Sequence, residues 1–160
     1  MPSLVQMASP VGALLRERGQ TVSVSESAAG GLISAGLLSV PGASAYFIGG
    51  GSVYTQTARR GILRFNDAKA EMQGSTEEYA KLAAIAIRDI LDTDWAIGES
   101  GAAGPGGNRY GNPAGYVALA VVGPSSATRV VQTGNDDRED NMWTFARAAL
   151  DLLHDTLEGN

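Results

Sequence analysis

Ser25-Glu26-Ser27-Ala28-Ala29-Gly30-Gly31 has the composition of a strand end running into a helix start. A serine at such a junction sits where backbone N–H groups and the positive end of a helix dipole converge. The Ser27 hydroxyl is therefore a candidate nucleophile toward a carbonyl whose oxyanion those N–H groups would hold. Gly30 and Gly31 would let a substrate approach the backbone closely. The plainer role for Ser27 is that of a helix cap, and Glu26 suits capping or the surface as well as catalysis. A serine nucleophile needs a base. His154, the only histidine, falls in the last helical stretch, where a solvent-exposed side chain is expected, so a serine, histidine, aspartate triad is not. Lysine can serve once burial or a neighbouring cation lowers its pKa, but Lys69 and Lys81 both lie in polar helical stretches and read as solvated.

A second candidate is Ser100-Gly101-Ala102-Ala103-Gly104-Pro105-Gly106-Gly107-Asn108, which begins where a strand should end. Its N–H groups could form a concavity for phosphate, with Gly104 and Gly106 at its centre; the plainer alternative is an ordinary loop. No Gly-Lys pair follows, as a P-loop requires, and G-x-G-x-x-G is absent. Arg138, beside Asp136 and Asp137, could pair with a phosphate or with those two acids.

The elements that must position these residues follow from periodicity and breakers. Ser9-Pro10 reads as a cap and first helical position for a helix closed at Gly19, unless the helix starts near Ser3 and kinks at Pro10. Thr21 to Ser25 alternates as a strand, and Leu32 to Val40 forms a short apolar helix closed by Pro41-Gly42. Tyr46 to Ile48 and Ser52 to Tyr54 read as extended chain interrupted by Gly49-Gly50-Gly51, completing a strand, helix, strand unit of parallel type. A helix over Thr55 to Leu63 follows, then a longer one behind a Ser75/Glu78 capping box, with Ala80, Ala83, Ala84, Ile87 and Leu91 on its packing face. Trp95 to Glu99 reads as a strand, Tyr116 to Val122 and Thr128 to Gln132 as a hairpin, and Asp137 to Leu157 as the last helix. The expected architecture is a three-layer α/β/α fold, a single domain over residues 1–160 with a mixed, partly parallel sheet.

Composition sets the outer bounds. The 160 residues are 44% hydrophobic and 18% charged, as in an ordinary globular domain. The chain has no cysteine, which excludes disulfides, thiolate zinc sites and cysteine nucleophiles. With 12 basic and 17 acidic side chains the net charge is -5, so no global field attracts nucleic acid or an anionic membrane. No apolar run reaches the length of a membrane span, and Arg16, Glu17 and Arg18 interrupt the region a signal peptide would keep apolar, so a cytoplasmic location is expected. No metal or cofactor is expected: the carboxylates Asp136, Asp137, Glu139 and Asp140 read as a surface charge run. The 21 glycines are about twice the usual frequency and cluster at predicted strand ends, which points to a ligand site there.

Taken in order, these segments resemble one family, the C-terminal domain of CinA proteins, known as nicotinamide-nucleotide deamidases. Thr21 to Gly31 looks like the family segment ending E-S-C-T-G-G, and Val40 to Gly50 is similar to V-P-G-S-S-A-Y-F-x-G-G. Val53 to Arg59 falls on A-Y-S-N-E-A-K, Gly101 to Gly107 resembles G-I-A-G-P-G-G, Asn112 to Gly115 resembles K-P-V-G, and Asp137-Arg138 falls on G-D-R. The resemblance spans about Ala8 to Leu157.

The resemblance implies hydrolysis of the carboxamide of nicotinamide mononucleotide to nicotinic acid mononucleotide and ammonia by a serine paired with a lysine. It also implies assembly as a homodimer or higher homo-oligomer. Carried over by motif, the serine is Ser27 and the lysine position is Arg59, which cannot be a general base near neutral pH. Ala28 and Ala29 replace the family's Cys and Thr, and Gln56 and Thr57 replace its Asn and Glu. Two expectations follow. In one, the chain is a weakened amidohydrolase in which Ser27 attacks, Arg59 stabilises charge, and Tyr54 or a water relays the proton. Gly30, Gly31, Thr55, Gly104, Gly106 and Arg138 then bind the substrate. In the other, it is a non-catalytic nucleotide-binding or regulatory module, with Arg59 forking onto phosphate.

Overall fold

The computed structural model describes residues 2–160. The first helix, α1 (Leu4–Arg18), starts at the earlier of the two expected positions. Ser3 accepts from the Gln6 N–H while Gln6 reaches back to the Ser3 N–H, and Pro10 lies within the helix. The chain continues through β1 (Val22–Glu26), α2 (Leu32–Ser39), a 3-10 turn at Ala43–Ala45, β2 (Phe47–Ser52), α3 (Gln56–Gly61), α4 (Asp67–Glu71) and α5 (Glu77–Leu91). It closes with β3 (Trp95–Ala102), β4 (Tyr116–Val122), β5 (Ala127–Gln132) and α6 (Arg138–Glu158).

The five strands form one sheet in the order β2-β1-β3-β4-β5. β1 pairs in parallel with both β2 and β3, whereas β3-β4 and β4-β5 are antiparallel, so the sheet is mixed as expected. β1, β3 and β4 are buried along almost their whole length because helices cover both faces. On one face α1, α2 and α6 enclose Leu15, Ile33, Trp95, Leu119, Phe145 and Leu153. On the other, α5 packs Tyr79, Ala83, Ala84 and Ile87 against the sheet, with Leu63, Phe65 and Ala70 filling beside it. Gly98 lets α5 come this close: a Cβ there would stand 1.9 Å from the Ala80 carbonyl oxygen. No helix among the described residues is long and apolar enough to cross a membrane.

Four boundaries differ from expectation, each for a local reason. β2 runs straight through Gly49-Gly50-Gly51, because Ser23, Val24 and Ser25 of β1 pair with all three glycines. β3 extends to Ala102, since Ser100, Gly101 and Ala102 find partners in Ala118, Val117 and Tyr116 of β4. α3 is shorter than the segment Thr55 to Leu63, and α4, capped by Asn66, adds a turn that the sequence did not suggest. The cap of α5 is Thr76, whose hydroxyl accepts from the Tyr79 N–H, and not Ser75. Ser75 is drawn out of that role into contacts with the glycine-rich loop, at a positive φ of 56°.

Candidate active site

At the carboxyl ends of β1 and β3 lies a cleft of about 450 Å3, within the range of small-molecule sites. Ser27, Tyr54, Thr55 and Gln56 line one side and Arg59, Gly74 and Ser75 its base. Ser100, Gly101, Asn108, Arg109 and Tyr110 close the other. Ser27 follows β1 directly, and Tyr54 and Thr55 lie between β2 and α3, so parallel pairing of β1 with β2 brings the two segments to one edge of the sheet. Thr55 also caps α3, accepting from the Ala58 N–H at 3.2 Å.

The turn carrying Ser27 is held from beneath by two buried acids, each 1% exposed. Glu26 Oε1 accepts from the N–H groups of Gly31 and Ile33, and its Oε2 from the N–H and hydroxyl of Ser34. Glu26 is thus the cap of α2 and takes no part in the cleft. Glu99 Oε2 accepts from the N–H groups of Ser27 (2.7 Å) and Ala29 (3.0 Å), while its Oε1 has no partner. Burial raises the Glu99 pKa to about 7; the N–H bonds oppose that rise and neighbouring Glu26 adds to it. The expectation that the helix-start N–H groups would hold a substrate oxyanion is therefore corrected: those donors already serve the protein's own carboxylates. Gly30 faces the Met142 methyl, and the Gly31 N–H is taken by Glu26, so neither lines the cleft.

Arg59 brings a cation to the cleft. Its side chain is 7% exposed, and Nη1 donates to the carbonyls of Ala70 (2.9 Å) and Met72 (2.8 Å). The guanidinium carbon lies 4.1 Å from the Tyr79 ring centre, a stacked cation–π arrangement. Nη1 is committed to the two carbonyls, whereas Nη2 lies beside Gly74 with no hydrogen-bond acceptor among the described residues. α4, the turn the sequence concealed, thus anchors Arg59 through Ala70. Burial raises the pKa of Tyr79, against the lowering effect of Arg59. For Tyr110, burial works upward but is outweighed by the hydrogen bond from Arg109, the Gly74 N–H and the charges of Arg109 and Arg59, and the net direction is down.

Tyr54 is 60% exposed, and its hydroxyl accepts from Arg138 Nη2 at 3.2 Å. Arg138 Nη1 donates to the Gly104 carbonyl at 2.6 Å, so this arginine ties α6, the glycine-rich loop and Tyr54 together instead of pairing with Asp136 or Asp137. Gly104 is buried beneath that contact, and Gly106 stands in open space; neither lines the cleft. A second concavity of about 480 Å3, between Leu32, Arg138, Met142 and Trp143, is mainly apolar and holds no nucleophile. Lys69 and Lys81 are exposed, as expected. His154 is half-buried near the end of α6, between Asp155 and Glu158.

The structure therefore brings Ser27, Tyr54, Thr55 and Arg59 together and leaves Gly30, Gly31, Gly104, Gly106 and Arg138 outside the cleft lining. Sequence reasoning missed Glu99, Ser75, Arg109 and Tyr110 as site residues, and named Ser100 and Asn108 only as the two ends of the second candidate loop. Asn108 links two of the cleft's segments: its amide donates to Ser75 and Asn112, and its side-chain oxygen accepts from the N–H groups of Tyr110 and Asn112. Ser100 accepts from the Ser75 N–H at 3.0 Å. For Glu99 a signal existed: an acid inside an otherwise apolar strand that is covered on both faces has to be buried.

A model of the CinA C-terminal domain matches residues 4–157. The CinA-like protein of Synechocystis sp. is 37% identical over 158 residues, which cover 96% of this chain and 38% of that protein. The CinA-like protein of Parasynechococcus marenigrum is 41% identical over 133 residues, covering 82% and 32%. The chain thus spans well under half the length of these relatives. Among solved structures, a competence-damaged protein (CinA) superfamily member from Klebsiella pneumoniae superposes with a TM-score of 0.91 at 25% identity, covering 99% of this chain and 100% of that one. A competence/damage-inducible protein from Agrobacterium tumefaciens gives 0.88 at 26% identity, covering 99% and 98%. Family model, relatives and structures agree from the first turn of α1 to the last of α6, and the chain belongs to the CinA C-terminal domain family.

Proposed function

We propose that the cleft hydrolyses the carboxamide of nicotinamide mononucleotide, or a closely similar nucleotide amide, to the carboxylate and ammonia. Ser27 Oγ attacks the amide carbon, and the negative charge that develops on the amide oxygen is met by Nη2 of Arg59. The proton from Ser27 passes through Tyr54 or a water to the departing nitrogen, which leaves as ammonia. Water then cleaves the acyl-serine, giving the acid and restoring the hydroxyl. Arg138 donates to the Tyr54 oxygen, which leaves the phenol proton free to be passed on.

The observation that carries this reading is that Ser27 and Arg59 line the same cleft. Arginine keeps its proton near neutral pH, so the site lacks the family's lysine base and turns over slowly. No metal or cofactor takes part in this scheme, and the homo-oligomeric assembly implied by the resemblance and the cytoplasmic location expected from the sequence's hydropathy belong to the same proposal.

The experiment is conversion of nicotinamide mononucleotide by the purified chain beside Ser27→Ala and Arg59→Lys. The expected result is slow turnover by the native chain, loss to background in Ser27→Ala, and a gain of about 10²- to 10⁴-fold in Arg59→Lys as a base is restored. Turnover that survives Ser27→Ala overturns the nucleophile assignment. A silent native chain that binds the nucleotide supports the second reading, a nucleotide-binding module, which the anchoring of Arg59 by two carbonyls and Tyr79 favours.

A further inference from the structure

Glu99 is the buried titratable group that the proposed reaction leaves unused. It stands on β3 opposite Leu119 of β4, and its carboxylate reaches the turn between β1 and α2 to take the N–H groups of Ser27 and Ala29 on one oxygen. The other oxygen, Oε1, has no hydrogen bond and no solvent. A carboxylate accepts two N–H bonds far more strongly as an anion than as a neutral acid, so the grip on this turn depends on its charge. The titratable groups that face it are Glu26 from β1 and Tyr79 from α5, and Arg59 of α3 stacks on Tyr79. Among the described residues no cation contacts Glu99, so backbone N–H groups alone, those of Ser27 and Ala29 with Ala28 between them, compensate its charge.

We propose that Glu99 is a positioning residue for Ser27, and that loss of its proton tightens the Ser27–Ala29 turn and so sets when the hydroxyl is presented to the cleft. The hydrogen-bond geometry carries this inference, and the raised pKa, about 7, puts the transition in the neutral range. As far as it concerns catalysis, it rests on the amide-hydrolysis reading.

The test has one arm that needs no activity. In 15N-labelled native chain, the amide resonances of Ser27 and Ala29 are followed against pH, together with those of Gly31 and Ile33, which Glu26 holds. The expected result is one common midpoint near neutrality for Ser27 and Ala29, absent for both in Glu99→Gln. The second arm measures turnover of nicotinamide mononucleotide. The native kcat rises through the same midpoint with KM unchanged, and Glu99→Gln stays at the low-pH level throughout, about ten- to a hundredfold below the native plateau. If Ser27 and Ala29 show no shared titration, or if Glu99→Gln retains the native pH limb, the proposal is overturned. If no chain turns over yet the amides titrate together and the variant abolishes it, the positioning role stands and the hydrolysis reading fails.

Discussion

The two walls of the cleft are held by opposite means. The Ser27 wall is fixed from inside by two carboxylates, Glu26 and Glu99, which between them accept from five backbone N–H groups and one hydroxyl. The glycine-rich wall is fixed by neutral amides. Buried Asn141 donates to the carbonyls of Ala103 and Asn135, Asn108 and Asn112 bond each other, and the cations on this side, Arg109 and Arg138, are exposed. A wall held by buried charge is stiff but sensitive to protons; a wall held by amides is indifferent to pH in the neutral range. The cleft therefore has one side that pH can move and one that it cannot.

The largest expected effect comes from removing the acid whose bonds are all made. Glu26→Ala leaves the N–H groups of Gly31, Ile33 and Ser34 at the start of α2 without an acceptor. It should cost about 3–5 kcal/mol, read as a lower urea midpoint at unchanged m-value. A loss under about 1 kcal/mol would mean that water replaces the acid and that the two walls differ less than their hydrogen bonds indicate.

Glu99→Gln sharpens the contrast through pH. The folded chain holds the Glu99 proton up to about 7, whereas the unfolded chain releases it near 4.5, so between these values the folded state binds more protons. Stability therefore falls as pH rises through that window and levels off above it. In Glu99→Gln this contribution disappears, and the stability difference should move in the variant's favour by up to about 3 kcal/mol across the window. Parallel pH–stability curves for the two chains would remove the distinction between a proton-sensitive and an insensitive wall.

How much of this was legible in the sequence depends on whether an element is set by neighbours in the chain or by partners far along it. α6 begins at Arg138 behind its Asp137 cap, close to expectation, because its cap and stripe are local signals. The same holds for β4, where alternation gives way to a fully apolar run. Ser75 was misread because Thr76 beside it is an equally good cap, and only contacts with Ser100 and Asn108 decide between them. The glycines of β2 looked like an interruption because their pairing with β1 is not encoded locally. Ser27 was named from the strand-to-helix junction and Arg59 from motif resemblance, and neither reading needed geometry to put its residue in the cleft. Glu99 was passed over because its role exists only once β3 stands beside β1 and delivers the carboxylate to the turn after it.

The smallest expected effect tests the amide-held wall at its exposed tie. Arg138→Ala removes the bonds to the Gly104 carbonyl and the Tyr54 hydroxyl. Both acceptors are neutral and Arg138 itself is exposed, so water takes over much of the interaction and the global cost should be about 1 kcal/mol or less. The local consequence is larger than the global one. Asn141 still holds Ala103, but beyond it the chain loses its tether to Tyr54, so amide exchange should accelerate from Gly104 through Gly107 while Ser27 and Ala29 keep their protection. That difference should be the same at either end of the neutral range, because no buried acid holds this loop. Faster exchange at Ser27 in the same variant would mean that the two walls move as one unit and that Arg138, not the buried acids, sets the shape of the cleft.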